Sequence, residues 1–97
     1  MVAATIHRAA LEELAQATAF YEGRAPGLGR EFFEEVQRVL VVIRQNPSMP
    51  QEFEPPYRRV FCRRFPFGVV CPQTSRGVRI LALMHQRRQP GYWKRRG

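Results

Sequence analysis

The strongest constraint on the fold is an amphipathic helical pattern over residues 29–45. Its apolar residues recur at spacings of three and four, and they are Phe32, Phe33, Val36, Val39, Leu40 and Ile43. Charged and amide side chains fill most of the opposite positions, so the pattern indicates a helix that buries one wide face in a core. The pattern ends at Asn46 and Pro47, because a proline ring cannot continue the helical hydrogen bonding.

A second helical pattern covers residues 8–23. The residues that recur there at helical spacing are Leu11, Leu14, Thr18 and Tyr21. The turn-forming sequence Arg24-Ala-Pro-Gly27 separates the two patterns. Because helices joined by so short a turn pack against each other, the sequence predicts an antiparallel helical hairpin. Residues 2–6 are a β-prone run and a possible short N-terminal strand.

Strand-like patterns follow the hairpin. Residues 51–56 are predicted to be an acidic, proline-rich connector, and the predicted strands cover residues 58–63, 67–71 and 78–85. In the last strand, Val78, Ile80, Ala82 and Met84 alternate with residues that point the other way. Both sets are apolar through the middle, which is typical of a central strand. The predicted fold class is α+β: an N-terminal antiparallel helical hairpin packed on one face of a small antiparallel sheet, in a single domain over residues 1–97.

Charge is distributed unevenly along the chain. Its sixteen basic and eight acidic residues give a formal net charge of +8. Every glutamate lies at or before Glu54, whereas eleven of the basic residues follow it. Because the C-terminal part has no acid of its own beside its arginines, we expect it to bind an acidic partner.

The sequence argues against most kinds of active site. It contains no aspartate, so paired-carboxylate catalysis is unpromising, and no glycine-rich loop joins a strand to a helix to hold a nucleotide. His7 and His85 lack partners at metal-binding spacing, so neither a metal nor a cofactor is expected. Cys62 and Cys71 lie in apolar runs and are predicted to be buried free thiols. With no apolar run long enough to cross a bilayer, the protein is predicted to be cytoplasmic and to have no membrane partner.

The C-terminal third contains the candidate functional residues. One possible use is binding of a phosphate backbone by arginines, with bases stacked on Tyr92 or Trp93. Another is cleavage of RNA through the neighbouring 2′-OH, for which His85, Arg88 and Tyr92 would supply a base, a cation and an acid. The candidate binding residues are Arg59, Arg63, Arg64, Arg79, Arg87, Trp93, Arg95 and Arg96.

Each of these residues also has a structural interpretation. Arginines such as Arg58, Arg59, Arg63 and Arg64 are commonly solvated charges that protect the edge of a sheet from aggregation. Tyr92 and Trp93 could form a hydrophobic clasp that holds the C terminus on the sheet. Both interpretations stay open from the sequence.

The order of the motifs along nearly the whole chain resembles that of a known protein superfamily. After the helical hairpin and the Asn46-Pro47 stop come an Arg64-Phe-Pro-Phe run and a His85-x-x-Arg-x-Pro-x-x-Trp-x-x-Arg ending. This arrangement is similar to the RelE/ParE superfamily of toxins from type II toxin–antitoxin (plasmid stabilisation) systems. The resemblance implies a small basic protein that arrests growth and is neutralised by an acidic antitoxin. We expect the antitoxin to cover the groove between the helical hairpin and the sheet.

The resemblance implies two alternative targets. The ParE-like branch inhibits DNA gyrase and is not a nuclease, whereas the RelE-like branch cleaves mRNA on the ribosome with strand arginines or lysines, an arginine past the last strand and a C-terminal tyrosine. Tyr92 falls on the tyrosine position, and Arg88 keeps a basic residue near the end of the last strand. Three of the basic positions of that branch, however, fall on Phe61, Gly68 and Gln86: one of the first-strand lysines, the middle-strand arginine and the arginine past the last strand.

The sequence therefore favours a gyrase inhibitor without enzymatic activity. Two alternatives remain open. One is a ribosome-dependent mRNA endonuclease that uses His85, Arg88 and Tyr92, and the other is an inactive member that only binds its antitoxin.

Overall fold

The computed structural model describes residues 1–89 and 91–96, apart from the side chain of Gln73. Its elements in chain order are β1 (Ala4–Ile6), α1 (Arg8–Arg24), α2 (Leu28–Gln45), β2 (Gln51–Glu54), β3 (Tyr57–Phe61), β4 (Phe67–Val70), β5 (Gln73–Thr74), β6 (Gly77–Ile80) and β7 (Ala82–His85). The strands form a three-stranded sheet, β1-β6-β5, and a four-stranded sheet, β2-β3-β4-β7. β1 pairs with β6 in parallel, and the other pairs are antiparallel. The predicted α+β class, with a helical hairpin on a sheet and a short N-terminal strand, is confirmed.

The turn between the helices is held by Glu22. Its carboxylate accepts the backbone N–H groups of Gly27 at 2.9 Å and Gly29 at 3.1 Å. These groups lie at the start of α2, where the partial positive charge of the helix attracts an anion. A Cβ atom on Gly29 would lie only 2.5 Å from the carbonyl oxygen of Thr18, so glycine permits the close approach of the two helices.

The helices cover one face of the four-stranded sheet, called here the inner face. Tyr21 and Phe32 of the helices meet Phe65 and Phe67, with ring centroids 4.9–6.2 Å apart. Phe32 is fully buried, whereas Phe33 is 41% exposed although it belongs to the predicted apolar stripe. The rotation of about 100° between successive helix residues turns Phe33 away from the sheet.

A second, smaller core lies on the opposite, outer face of the four-stranded sheet. It contains Val70, Leu81, Ala82, Met84 and Trp93, with Phe53, Tyr57 and Tyr92 packed around them. Val69 belongs to the inner core and Val70 to the outer one, as the alternation of side chains along β4 requires. Because Trp93 is completely buried, the C-terminal segment covers part of the outer face.

The predicted connector over residues 51–56 contains a strand instead. Residues Gln51–Glu54 form β2, which pairs with β3 and places Glu52 opposite Arg58. β2 is an end strand, and such a position tolerates both its acidic residues and the prolines that follow it. The prediction failed because these residue types normally indicate a loop.

The last predicted strand is interrupted at Leu81. The N–H group of Leu81 donates to the carbonyl oxygen of Val70 at 2.9 Å, although Val70 is already paired with Ala82. This extra residue shifts the side-chain alternation by one, so the inner core receives Leu83, and the outer core receives Ala82 and Met84.

The predictions of one continuous alternation and of a central strand over residues 78–85 are therefore wrong beyond Ile80. β7 is the end strand of its sheet. Its residues are apolar on both sides because each face of the sheet carries a core.

Both cysteines are buried free thiols, as predicted. Burial raises the pKa of Cys62 to about 11 and the pKa of Cys71 to about 12. Thiols with such pKa values stay protonated near neutral pH and react slowly. No helix in the described part of the chain combines the length and the apolar character that a membrane span requires.

Candidate functional site

Glu13 of α1 anchors the C-terminal segment to the body of the protein. Its side chain is 12% exposed and accepts hydrogen bonds from both terminal nitrogens of Arg96, at 2.9 and 3.0 Å. The same carboxylate accepts the backbone N–H group of Leu83 at 3.0 Å and lies 3.6 Å from a guanidinium nitrogen of Arg88. Arg96 also donates to the carbonyl oxygen of Leu81. One carboxylate thus accepts an N–H group from the open edge of β7 and, through Arg96, anchors residues 91–96, called here the C-terminal clasp.

Tyr92 lies inside this clasp between two arginines. The guanidinium carbons of Arg88 and Arg96 lie 3.8 and 4.9 Å from the centroid of its ring. Its hydroxyl is buried and has no hydrogen-bond partner of good geometry in the described residues. Burial raises the pKa of Tyr92 well above its ordinary value, and the adjacent carboxylate of Glu13 raises it further. A buried phenol of this kind is a poor proton donor or acceptor near neutral pH.

His85 ends β7 and takes part in a tight turn. Its Nδ1 atom accepts the backbone N–H group of Arg87 at 3.0 Å, and its carbonyl oxygen accepts that of Arg88 at 3.0 Å. The imidazole ring packs edge-on against Phe67, with centroids 5.2 Å apart. The structure therefore brings His85, Arg88 and Tyr92 into one neighbourhood, but uses Nδ1 of His85 and the ring of Tyr92 to hold the chain in place.

The structure places Phe61 directly against Gly68. Both are positions where the resemblance leads one to expect a basic residue. They are paired across β3 and β4, and a Cβ atom on Gly68 would lie 3.0 Å from two carbons of the Phe61 ring. The ring therefore covers the glycine on the outer face of the sheet. The third such position, Gln86, is exposed, and its N–H group donates to the carbonyl oxygen of Pro66 at 2.8 Å.

Arg59 extends this feature along the outer face. Its guanidinium carbon lies 4.3 Å from the ring centroid of Phe53 and 4.9 Å from that of Phe61. Phe53 in turn contacts Trp93 of the C-terminal clasp, with centroids 5.8 Å apart. Aromatic rings thus alternate with an arginine across the part of the outer face that the clasp leaves open.

A groove of about 520 Å³ runs between α2 and β3. Its apolar lining consists of Val39, Val42, Met49, Val60 and Phe61, and its rim carries Arg38, Arg63 and Arg64. Glu35, at the base of the groove, is buried and accepts the backbone N–H groups of Arg63 and Arg64 at 2.6 and 3.0 Å. We call this feature the α2–β3 groove.

The rim of the α2–β3 groove keeps an excess of positive charge. Arg64 is paired with Glu31 at 2.8 Å, but Arg38 and Arg63 form no ion pair among residues 1–89 and 91–96. An apolar channel with uncompensated cations at its rim can bind an amphipathic acidic segment.

The remaining predicted residues lie outside the groove. Trp93 is completely buried, as the clasp interpretation requires, and so offers no surface to a partner. Arg79, in the three-stranded sheet, donates to the hydroxyl of Thr5 at 3.2 Å, while Arg87 and Arg95 are exposed. No group of three metal-binding side chains occurs in the described residues.

The sequence interpretation missed Glu13, Arg38 and the apolar lining of the groove. Val42 is 45% exposed and Met49 is 39% exposed, and both extend the apolar character of α2 and its C-terminal turn beyond the stripe that the core needs. These additional apolar residues were the sequence feature from which the groove could have been predicted. The partners of Glu13 gave no such signal, because Leu83 and Arg96 are 70 and 83 residues away in sequence.

The uneven charge of the sequence is partly balanced in three dimensions. N-terminal glutamates pair with C-terminal cations in the pairs Glu13–Arg96, Glu13–Arg88, Glu31–Arg64, Glu52–Arg58 and Glu54–Lys94. The N-terminal glutamates therefore neutralise part of the positive charge that the sequence assigned to an acidic partner. The expectation of an acidic partner now rests on the cations that these glutamates leave unpaired.

Comparison with solved structures shows what the fold is similar to. No protein-family model matches the chain, and no curated protein is significantly similar to it in sequence. Among solved structures, the chain is similar to one described as "Chromosomal ParDE TA system from P. aeruginosa", with a TM-score of 0.77 and 16% sequence identity over 88% of this chain and 96% of that chain. The protein therefore shares its fold with a chain of a ParDE toxin–antitoxin system, in agreement with the RelE/ParE-like architecture that the sequence motifs imply.

Proposed function

We propose that this protein is the toxin of a type II toxin–antitoxin module and acts in the cytoplasm as a ParE-like inhibitor of DNA gyrase. The observation that carries the proposal is the fold shared with a chain of a ParDE system over 88% of this chain. The toxin acts by binding its target, and it is kept inactive by an acidic antitoxin.

The chemistry of the outer face supports a binding protein rather than a nuclease. RNA cleavage requires a base, an acid and cations arranged around one phosphate. Here Phe61 covers Gly68 at one of the expected cationic positions, and the hydroxyl of Tyr92 is buried inside the clasp. The ribosome-dependent endonuclease is the second candidate function, because Arg88 lies in the turn that follows His85 and packs on the ring of Tyr92.

The lining and the charge of the α2–β3 groove support the proposal that an antitoxin binds this protein. Its apolar lining suits the apolar face of a helix or of an extended segment, and Arg38 and Arg63 at the rim suit carboxylates on either side of that face. The antitoxin segment lies in this groove and shields its exposed apolar side chains from water.

Two assays of the purified protein distinguish the targets. We expect inhibition of gyrase supercoiling and no cleavage of mRNA in a programmed ribosome. Ribosome-dependent cleavage that disappears in both His85→Ala and Tyr92→Ala would instead establish the endonuclease. If neither activity appears and induced expression leaves growth unchanged, the protein is an inactive member that only binds its antitoxin.

A charge-reversal experiment tests the groove. We expect the antitoxin to be encoded next to this gene, and the probe is the purified product of that adjacent reading frame. The double variant Arg38→Glu/Arg63→Glu is expected to bind it about tenfold more weakly or worse, because the rim then repels an acidic segment. The matched control Arg24→Glu/Arg76→Glu makes the same change of charge away from the groove and should bind like the parent protein. Equal effects of the two double variants would show that only the overall charge matters.

A further inference from the structure

Arg59 is held differently from the other strand arginines. Its side chain is half-buried, and its guanidinium packs against the rings of Phe53 and Phe61 at 4.3 and 4.9 Å. Within the described part of the chain, this guanidinium forms no hydrogen bond and no ion pair. The adjacent Arg58, by contrast, donates to the carbonyl oxygen of Pro50 at 2.9 Å and lies 4.0 Å from a carboxylate oxygen of Glu52.

The arrangement orients the donors of Arg59 before any partner arrives. A guanidinium presents its N–H groups in the plane of the group, in a fork that matches the two oxygens of a carboxylate. Contact with the phenylalanine rings restricts the side chain and so reduces the entropy that binding would otherwise cost. Half-buried donors without a protein acceptor are unfavourable unless a partner supplies one.

We propose that Arg59 is a carboxylate-binding site for a Glu or Asp side chain of the antitoxin. The proposal rests on the proposed function, because it takes the occupant of the α2–β3 groove to be the antitoxin segment. Phe61 connects the two sites: it lines the groove, and it is one of the two rings that hold Arg59. A segment that leaves the groove over Phe61 therefore brings its next acidic side chain to Arg59.

The surroundings of Arg59 favour a single carboxylate over a nucleic-acid backbone. A nucleic acid presents repeated phosphates and is bound by several cations in a row. On this face the rings beside Arg59 are those of Phe53 and Phe61, and its partners on the neighbouring strands are Gln51 and Val70, none of which is charged. An arginine framed by aromatic rings is typical of the residues that dominate the affinity of protein–protein interfaces.

A titration of the free protein tests the site without the antitoxin. The Nε–Hε signals of the arginines are followed by NMR while sodium acetate, or inorganic phosphate at equal ionic strength, is added to the full chain. Acetate should shift the Arg59 signal more than the signal of the exposed Arg76, and the difference should shrink in Phe61→Leu. Equal shifts of all exposed arginines, or a response to phosphate alone, would overturn the proposal.

Substitution of Arg59 tests the same site in the complex. Arg59→Gln should weaken binding of the adjacent-frame protein about tenfold to a hundredfold, while Arg59→Lys should recover only part of the loss because lysine lacks the planar fork. Arg76→Gln is the matched control and should leave the affinity for the adjacent-frame protein unchanged. Thermal unfolding of each free variant separates lost contacts from lost folding.

The two proposals fail in different ways. If Arg59→Gln binds normally while Arg38→Glu/Arg63→Glu binds weakly, the antitoxin occupies the groove without reaching Arg59, and the carboxylate site is wrong. If both variants bind normally, the groove is wrong as well.

Discussion

The two faces of the four-stranded sheet are built in contrasting ways. The inner face lies under both helices, and its core contains a cluster of aromatic rings around the fully buried Phe32. The outer face is covered at one end only, by the C-terminal clasp, and leaves Arg59 and Phe61 accessible beyond it. The inner face therefore contributes most of the stability, while the outer face retains the groups that can contact another molecule.

The C-terminal clasp on the outer face also contains buried polar groups with poor hydrogen bonding. Within the C-terminal clasp, the Trp93 Nε1 group is buried without a hydrogen-bond partner in the described residues, and the buried Tyr92 hydroxyl lies near the Glu13 carboxylate without good hydrogen-bond geometry. Each unpaired group of this kind costs about 1–3 kcal/mol relative to a paired one. The clasp therefore relies on the burial of the Trp93 ring and on the Glu13–Arg96 and Glu54–Lys94 ion pairs, and we expect it to open before the inner core does.

The largest effect on stability is expected in the inner core. Phe32→Ala removes a fully buried ring and should lower the free energy of unfolding by about 3–5 kcal/mol. Phe33→Ala, at the neighbouring position on the same helix, is the matched control, because Phe33 is 41% exposed and should cost far less. Urea unfolding followed by circular dichroism measures both, and similar losses would contradict the assignment of the inner core.

A smaller effect, confined to the outer face, is expected from Glu13→Ala. The substitution leaves Arg96 and the N–H group of Leu83 without their acceptor and should cost about 1–3 kcal/mol. The fluorescence of Trp93, the single tryptophan, should shift to the red as the clasp opens.

Glu12→Ala is the matched control for the clasp. The side chain of Glu12 is 61% exposed, and the ion pair that it forms among the described residues is with Arg8, at 3.5 Å, so this substitution should cost less than about 1 kcal/mol. An unchanged fluorescence maximum in Glu13→Ala would show that the clasp does not depend on this carboxylate.

Alkaline pH should destabilise the inner core. The folded protein raises the pKa of Cys62 to about 11 and of Cys71 to about 12, whereas unfolding returns both thiols to ordinary values near 9. Stability from these groups is therefore fully present below pH 9 and is lost as the pH rises towards 11–12.

Urea unfolding at pH 8, 9 and 10 measures this loss. The rate of thiol modification by a disulfide reagent at pH 8 should be slow in the folded protein and fast in urea. Rapid modification of the folded protein would contradict the burial of the thiols.

The smallest effect on stability is expected from Gly68→Ala. Its added Cβ would lie 3.0 Å from the ring of Phe61, which is 41% exposed and can move away, so the cost should stay below about 1 kcal/mol. Gly29→Ala is the contrasting variant, since its Cβ would lie 2.5 Å from a backbone oxygen of Thr18 that cannot move without shifting a helix. Thermal unfolding compares the two, and an equal loss would show that the Phe61 ring is held as rigidly as the helix backbone.

Local patterns were sufficient for the helical hairpin and the fold class. The apolar spacing over residues 29–45 and the Arg24-Ala-Pro-Gly27 turn depend on neighbouring residues only, and the structure follows them closely. The same reasoning failed at β2 and at Leu81. In both places the outcome depends on a paired strand, either through the edge position of β2 or through the bulge opposite Val70.

The candidate site was predictable in composition but not in arrangement. From the sequence, Arg59, Arg63 and Arg64 were candidate binding residues, and the missing basic residues at Phe61 and Gly68 were evident. That Phe61 covers Gly68 and also packs against Arg59 follows from the register between β3 and β4, which the sequence does not give.

By itself, the sequence determined two helices, one of them strongly amphipathic, a strand-rich basic half and an excess of arginine, because helical periodicity and charge are properties of residues close together in the chain. The tertiary structure alone decided which arginines are neutralised and which stay available. Glu13 reaches Arg96 and Glu31 reaches Arg64 only because the hairpin packs on the sheet. Charges separated by 33 to 83 residues in sequence interact only when folding brings them within a few ångströms, since water and salt screen them otherwise.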